Sequence, residues 1–189
     1  VLNSNTPIPF KDILAYLDSR KHLIDAVVIS GGEPTMMPEL EKRIIEIRKL
    51  GFLIKLDSNG TNPKVLKNLI DKGLLDYVAM DIKNSEEYYP MTTGCPKVNM
   101  GNIKESIKIL MNSHINYEFR TTLVKEFHSK ESITKMGELI KGAKKLYLQK
   151  FVDREGVIQK GLHDISIEEA ESYKEILSNY VANVELRGY

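Results

Sequence analysis

Six short β-like segments alternate with helix-like segments along the chain, and this alternation constrains the fold more than any other feature. The β-like segments are rich in branched and aromatic residues and occupy residues 25–30, 52–58, 77–82, 117–123, 145–151 and 182–188. Strands joined through helices need crossover connections, which give a parallel sheet with helices packed outside it. The sequence therefore predicts an α/β fold whose sheet is either open or curled into a partial barrel.

Apolar residues recur with helical spacing between these strands. Asn62 is the predicted N-cap of a helix over 63–72, and the spacing of Ser166 and Glu169 matches a capping box at the start of the last helix. The other predicted helices span residues 10–20, 38–50, 101–113 and 130–141. No linker or low-complexity tract interrupts the pattern, so we predict one domain over residues 1–189.

Composition excludes several classes of protein. The 27 basic and 26 acidic residues leave a net charge of +1 and form no basic stripe, which argues against nucleic acid as a partner. No apolar run approaches the roughly 18 residues of a membrane span, so no membrane association is expected. The one cysteine, Cys95, cannot form an internal disulfide, which fits a cytoplasmic location.

Polar residues and glycines follow the predicted strands at their carboxyl ends, where ligands bind in parallel α/β folds. Five successive strands carry such groups, so we expect them to meet at one edge of the sheet. In chain order they are Gly31, Gly32, Glu33 and Pro34, then Asp57, Ser58, Asn59 and Gly60, then Asp81 and Lys83, then Arg120, Thr121 and Thr122, and finally Gln149.

This set of groups suits a zwitterionic ligand. The bare backbone of Gly31 and Gly32 lets a ligand approach closely. Carboxylates such as Asp81 hold a cationic group, and Lys83 or Arg120 holds an anionic one. An α-amino acid needs both signs of charge within a few ångströms, so the sequence predicts a site for an amino-acid-like ligand.

Each of these residues also has a purely structural interpretation. The glycine pair could form a tight turn, and Glu33 could cap the turn that follows it. Asn59 and Gly60 have ordinary turn chemistry. Asp81 and Lys83, two residues apart on an extended segment, could form a structural ion pair. Convergence at one edge favours a site over five separate structural roles.

Five motifs in order resemble those of the radical S-adenosylmethionine enzymes, and among these they are most similar to the activating enzymes of glycyl-radical proteins. The motifs are "SGGEPT", "KLDSNGTNP", "DYVAMDIK", "YEFRTTLV" and "LQKF". The resemblance runs from about residue 8 to residue 187 and implies a partial (β/α)6 barrel of the TIM-like type. The "MDIK" and "YEFRTT" stretches resemble the activator of the anaerobic ribonucleotide reductase more than that of pyruvate formate-lyase.

The resemblance also implies roles for individual residues. Gly31, Gly32 and Glu33 would receive the amino group of S-adenosylmethionine, and the Asp-x-Lys pair would help to hold its amino acid end. Asp57 and Asp81 would hold a monovalent cation beside the cofactor carboxylate, and Arg120 would lie near the ribose. The complete predicted cofactor-binding set is Gly31, Gly32, Glu33, Pro34, Asp57, Ser58, Asn59, Asp81, Lys83 and Arg120.

The chain departs from the family pattern in its cysteines. The family's Cys-x3-Cys-x2-Cys loop, which ligates a [4Fe-4S] cluster, is absent, and Cys95 is interpreted as an ordinary loop thiol. The missing first strand and cluster loop are expected upstream of Val1. Loss of that strand would leave a sheet edge unpaired, and the chain as printed is expected to be inactive.

For the intact enzyme, the resemblance implies one-electron reduction of S-adenosylmethionine by the cluster. The resulting 5′-deoxyadenosyl radical would remove a hydrogen atom from a glycine of the partner. That partner would be a glycyl-radical enzyme of the anaerobic ribonucleotide reductase or pyruvate formate-lyase type. A flavodoxin- or ferredoxin-like protein would donate the electron. No general base is needed, and His128 is interpreted as a surface residue.

Two alternatives remain open at this stage. One is a barrel lyase or aldolase that uses Lys83 as a Schiff-base nucleophile. The other is a non-catalytic module that binds S-adenosylmethionine or a protein partner. Cysteines encoded upstream of Val1 would favour the radical enzyme, and their absence would favour the binding module.

Overall fold

The computed structural model describes residues 7–154, 157 and 159–189, and all six predicted strands are present in it. The domain predicted over 1–189 includes residues 1–6, 155, 156 and 158, which lie outside the described residues. The strands are β1 (Ala26–Ile29), β2 (Leu53–Ser58), β3 (Tyr77–Asp81), β4 (Asn116–Leu123), β5 (Lys145–Lys150) and β6 (Asn183–Arg187). The helices are α1 (Phe10–Arg20), α2 (Leu40–Lys49), α3 (Pro63–Asp71), α4 (Tyr89–Thr93), α5 (Met100–Asn112), α6 (Lys130–Leu139) and α7 (Ile167–Leu177).

The strands form one parallel sheet in the order β1-β2-β3-β4-β5-β6. Every crossover therefore steps to the next strand in the same direction. Because such crossovers share one hand, the helices lie on one face and the twisted sheet curls away from them. This is the architecture of a partial β/α barrel, and the predicted fold class is confirmed.

The two faces of the sheet differ in polarity. On the helix side, Ile54, Leu56, Met80 and Phe119 are fully buried against the helices in one continuous apolar core. The concave face instead carries polar and charged residues at alternate positions, as the two-residue period of a strand requires. Its central residues are Lys55, Asp57, Tyr77, Asp81, Glu118 and Arg120.

Local sequence signals predicted the helices well but missed two short elements. The turn of 3-10 helix at Pro34–Met36 and helix α4 are too short to show apolar periodicity. Asn62 does not cap α3 with its side chain and donates instead to the carbonyl of Thr35, 3.0 Å away.

The predicted capping box at the start of α7 forms only in part. The Ser166 hydroxyl accepts from the N–H of Glu169 at 3.3 Å. The carboxylate of Glu169 accepts instead from the Tyr173 hydroxyl at 2.8 Å.

Strand β1 lies at one end of the sheet. Within residues 7–154, 157 and 159–189, β1 pairs with β2 and with no other strand. None of the described helices combines the length and the apolar character that a membrane crossing requires.

Gly60 is required by the turn that leads from β2 into α3. Its φ of +76° lies in the left-handed region, and an added Cβ would clash with the terminal methyl group of Met80. The Gly60 carbonyl also accepts from the buried hydroxyl of Ser106 at 2.8 Å, which joins this turn to α5. The turn after β2 is therefore fixed on both sides.

We predict that Gly60→Ala destabilises the protein more than Gly73→Ala. Gly73 has a similar φ of +63° but open space around its Cβ position, so it controls for backbone strain. The clash is with the flexible end of Met80, which is fully buried, so moving it aside should cost about 1 kcal/mol beyond that strain. Urea unfolding of both variants measures the difference, and equal midpoints would contradict the assigned clash.

Candidate active site

A polar cavity of about 170 Å³ lies at the carboxyl ends of β1 to β4. Nine of the ten residues predicted as a cofactor-binding set line it, together with Ser30. Pro34 is the exception, because it is buried in the turn that follows β1 and is not part of the cavity wall. The lining residues are Ser30, Gly31, Gly32, Glu33, Asp57, Ser58, Asn59, Asp81, Lys83 and Arg120.

The glycine pair leaves this wall without side chains. Gly31 has a φ of +145°, a conformation that residues with a Cβ rarely adopt. A Cβ built on Gly31 or Gly32 would meet no atom within 4 Å, so open space lies directly over the backbone. The backbone there is accessible at close range.

Glu33 ties the end of β1 to the end of β2. Its Oε1 accepts from the N–H and hydroxyl of Thr35, at 3.1 and 2.6 Å, and from the hydroxyl of Ser58 at 2.9 Å. Its Oε2 accepts from the N–H of Asn59 at 2.6 Å. The structural interpretation of Glu33 as a cap is thus confirmed, and the same carboxylate contributes negative charge to the cavity.

Asn59 also has a local structural role. Its Oδ1 accepts from the N–H and the hydroxyl of Thr61, at 3.0 and 2.7 Å, which closes a side-chain turn. The Ser58 hydroxyl accepts from the N–H of Gly60 at 3.1 Å. These contacts fix the shape of the loop that lines the cavity.

Arg120 bridges the two carboxylates on the opposite wall. Its Nη1 donates to Asp57 at 3.0 Å, and its Nε and Nη2 both lie 3.0 Å from Asp81. Lys83 Nζ donates to the other oxygen of Asp81 at 2.8 Å. Burial opposes the charge of Arg120, but the two carboxylates outweigh it and raise the pKa of Arg120. The guanidinium occupies the space between Asp57 and Asp81, where the family resemblance implies a monovalent cation.

A second charged cluster lies below the cavity on the concave face, and sequence reasoning missed it. Glu118 is 4% exposed and accepts from the Tyr77 hydroxyl at 2.9 Å, while Lys55 Nζ lies 3.6 Å from its Oε1. Burial and the hydrogen bond to Glu118 raise the pKa of Tyr77 to about 12. Lys55 also lies 3.9 Å from Asp57, so the cluster supports the cavity from beneath. The signal was a pair of charged residues two positions apart in each strand, Lys55 and Asp57 in β2 and Glu118 and Arg120 in β4.

A larger cavity of about 660 Å³ adjoins the polar cavity and shares Asn59 and Lys83 with it. Its wall is mostly apolar and includes Tyr89, Ile103 and Phe127. Cys95 lines this cavity as an exposed thiol, in agreement with its interpretation as a loop residue. Thr122 lies on its wall, whereas Gln149 lines neither cavity.

The prediction that His128 is a surface residue was wrong. His128 is 4% exposed and lies where the chain turns back after β4. Its Nδ1 lies 3.0 Å from the N–H nitrogen of Val124, and its Nε2 lies 3.0 Å from the carbonyl oxygen of Lys83. Burial lowers the pKa of His128 despite these backbone contacts. Polar neighbours in the sequence concealed the burial, which arises from tertiary packing.

Thr121 was also grouped with the strand-end residues, but its side chain points to the helix side. It is buried and its hydroxyl donates to the carbonyl of Ile82 at 2.8 Å. Its neighbours Arg120 and Thr122 face the concave side, since alternate residues of a strand face opposite ways. Thr121 therefore supports the site from behind.

The described residues do not form a metal centre. Within residues 7–154, 157 and 159–189, no group of three histidine, cysteine or acidic side chains is arranged to hold a metal ion. An iron–sulfur cluster needs several cysteine thiolates, and the printed sequence has one cysteine. The residues of this chain therefore do not fit a [4Fe-4S] cluster.

Fold and site together define a partial β/α barrel with a small cavity at the carboxyl ends of its strands, lined by side chains of both charges. Comparison with known families matches residues 3–139 to the Radical SAM superfamily. A protein of Methanocaldococcus jannaschii with the provisional name of glycyl-radical enzyme activating enzyme is 31% identical over 172 residues. That match covers 86% of this chain and 70% of the relative. The chain belongs to the radical SAM superfamily.

Solved structures agree with this fold. A domain of a pyruvate-formate lyase-activating enzyme from Bacteroides vulgatus matches with a TM-score of 0.65 at 17% identity, covering 86% of this chain and 99% of that one. SuiB of Streptococcus suis, solved bound to S-adenosylmethionine, matches with a TM-score of 0.70 at 14% identity. The latter match covers 98% of this chain and 45% of SuiB. At these identities the likeness confirms the partial barrel alone.

We predict that His128 makes stability depend on pH. Its pKa in the folded chain lies below the unfolded value of about 6.5, so the unfolded chain takes up a proton first as the pH falls. The free energy of unfolding should thus decrease below about pH 6.5, by at most about 1.4 kcal/mol per pH unit, until the folded pKa is reached. Denaturant melts between pH 7.5 and 5.5 should show a smaller decrease for His128→Gln, and equal decreases would contradict the assignment.

Proposed function

We propose that the polar cavity binds the methionyl end of S-adenosylmethionine, and that the chain is the barrel part of an activating enzyme for a glycyl-radical protein. The observation that carries this proposal is the convergence of nine predicted residues on one cavity wall. Membership of the radical SAM superfamily and 31% identity to the Methanocaldococcus relative support it.

Charge favours a sulfonium amino acid over an ordinary one. Three carboxylates line the cavity, those of Glu33, Asp57 and Asp81, against two cations, Lys83 and Arg120. One negative charge is therefore in excess. S-adenosylmethionine carries a sulfonium and an ammonium against one carboxylate, so its net charge of about +1 complements that excess.

Size divides the proposed ligand between the two cavities. Pockets for drug-sized ligands measure roughly 300–1,000 Å³, so the polar cavity of about 170 Å³ suits only the amino acid end. The adjoining cavity of about 660 Å³ has the space and the apolar wall for a nucleoside. Lys83 lies on both walls, where the two cavities adjoin.

Within the polar cavity, opposite walls would take opposite ends of the amino acid. The open backbone at Gly31 and Gly32, beside the Glu33 carboxylate, suits the ammonium group. Lys83 and Arg120 on the other wall suit the carboxylate. A monovalent cation between Asp57 and Asp81, as the resemblance implies, would require Arg120 to move from its present position.

The activity proposed for the intact enzyme is reductive cleavage of S-adenosylmethionine and radical transfer to a glycine of a partner enzyme. This chain's residues would orient the cofactor and exclude water, while the difficult chemistry belongs to the cofactors. The residues of this chain do not form a cluster site, so no electron-transfer step is assigned to them. The partner would be an anaerobic ribonucleotide reductase or pyruvate formate-lyase, and the electron donor a flavodoxin or ferredoxin.

The lyase alternative loses support from the surroundings of Lys83. A Schiff-base lysine is normally activated by desolvation or a neighbouring cation. Lys83 is instead paired with Asp81 at 2.8 Å, and its side chain is 38% exposed. A non-catalytic binding module remains compatible with the single cysteine and shares the same ligand site.

We predict that Lys83→Met weakens binding of S-adenosylmethionine by about ten-fold, since a charged hydrogen bond to the ligand carboxylate is lost. Lys67→Met is the matched control, because Lys67 pairs with Asp71 on the exposed surface of α3. Isothermal titration of the 189-residue chain measures both constants. An unchanged constant for Lys83→Met, or no binding by the wild type, would contradict the proposed site.

We further predict that the printed chain, reconstituted with iron and sulfide, gains no cluster absorbance and forms no 5′-deoxyadenosine. Its single cysteine leaves the cluster without ligands. A longer gene product that includes an upstream cysteine triplet should do both under the same conditions. Cluster formation and cleavage by the printed chain alone would show that the ligands have been misassigned.

A further inference from the structure

We propose that His128 is a positioning residue that holds Lys83 in place through the Lys83 main-chain carbonyl. Lys83 lies two residues beyond the end of β3, and the last ladder bond there runs from the N–H of Ile82 to the carbonyl of Arg120 at 2.8 Å. Beyond it, the sheet supplies no partner for the chain. His128 supplies one, with its Nε2 3.0 Å from the Lys83 carbonyl oxygen.

The neighbouring residues are held by the same part of the molecule. Thr121 donates to the carbonyl of Ile82 at 2.8 Å. The Asn84 side chain, fully buried, donates to the carbonyl of Phe127 at 2.8 Å and to the Thr92 hydroxyl at 2.9 Å. Residues 82–84 are therefore fixed one after another by β4, by the segment that follows it and by α4.

The ring of His128 satisfies both contacts in one neutral tautomer. Nδ1 lies 3.0 Å from the nitrogen and 3.1 Å from the carbonyl oxygen of Val124, so it has a partner in either neutral tautomer. Nε2 faces only the Lys83 carbonyl oxygen, which accepts, so the proton belongs on Nε2 and Nδ1 accepts from the N–H of Val124. The other neutral tautomer would place an unprotonated Nε2 against a carbonyl oxygen. Because the ring is 4% exposed, water cannot replace either partner.

The contact with the Lys83 carbonyl leads to the polar cavity, whereas the other partner of His128, Val124, lines only the larger cavity. His128 lines neither cavity, whereas the Lys83 side chain lines both and pairs with Asp81. Loss of the hydrogen bond from His128 would leave the Lys83 backbone less constrained, and the Lys83 ammonium group with it. The inferred effect on ligand binding rests on the proposed function, but the effect on Lys83 does not.

Two substitutions separate this role from simple packing. His128→Gln places an amide N–H near the position of Nε2 and keeps the donor to Lys83. His128→Asn places its amide near the position of Nδ1 and keeps the contact with Val124, but not the one with Lys83. Both remove the ring. Asparagine also lacks one methylene, so the reaction rate of Lys97 on the same cavity reports any general loosening of the segment.

The main readout is the rate at which each lysine is acetylated by a limiting amount of an amine-reactive acetylating reagent. Mass spectrometry measures that rate residue by residue. We expect Lys83 to react roughly five-fold faster in His128→Asn than in the wild type, the change that corresponds to one neutral hydrogen bond. His128→Gln should stay close to the wild type, and Lys97, on the same cavity, should be unchanged throughout. Equal Lys83 rates in the two variants would overturn the proposal.

Two further measurements keep the proposal testable if a variant does not fold or the ligand does not bind. If His128→Asn does not fold, imidazole ¹⁵N shifts of the wild type near pH 7 decide the matter. The Nε2–H tautomer supports the proposal and the Nδ1–H tautomer overturns it. Titration with S-adenosylmethionine should give weaker binding in His128→Asn than in His128→Gln. If the wild type does not bind it, the proposed function fails while the Lys83 rates still decide the role of His128.

Discussion

The guanidinium of Arg120 lies between the carboxylates of Asp57 and Asp81, and the candidate site depends on this interaction. It joins side chains from three neighbouring strands at the edge where the sheet opens. Without it, two carboxylates would face each other across a partly buried space. Their mutual repulsion would disfavour the charged form of each. The Glu33 carboxylate similarly joins the end of β1 to the end of β2, because it accepts four hydrogen bonds from the residues that follow these strands and from Ser58. The cavity wall is thus preorganised by charge before any ligand arrives.

The parts of the structure that follow from local patterns could be predicted from the sequence. Branched residues with a period of two predict the strands, and apolar residues with helical spacing, ended by glycine, predict the helices. Parallel pairing of the strands then follows from the crossover connections. Gly31 and Asp81 could be assigned to one edge because every parallel strand ends there. The polar residues of the cavity were found for that reason and not through their individual chemistry.

What could not be predicted depends on contacts between distant parts of the chain. His128 lies in a polar stretch, and its burial arises only when the segment after β4 packs over the end of β3. Glu118 and Lys55 meet through strand register, which the sequence does not specify to the residue. Pro34 was assigned to the cavity with the rest of its motif, but it is buried in the turn that it opens and does not line the cavity. The exclusion of general-base chemistry and the identity of the partner stay predictions.

The surplus negative charge of the cavity also affects how ligands arrive. A concave, partly buried surface focuses its field outward, so cationic solutes accumulate near it before any specific contact forms. Dissolved salt screens that attraction over a Debye length of about 8 Å at physiological ionic strength. Capture of a cationic cofactor should therefore slow as salt is added, whereas its escape, governed by short contacts inside the cavity, should change little. Cellular potassium would compete for the same field.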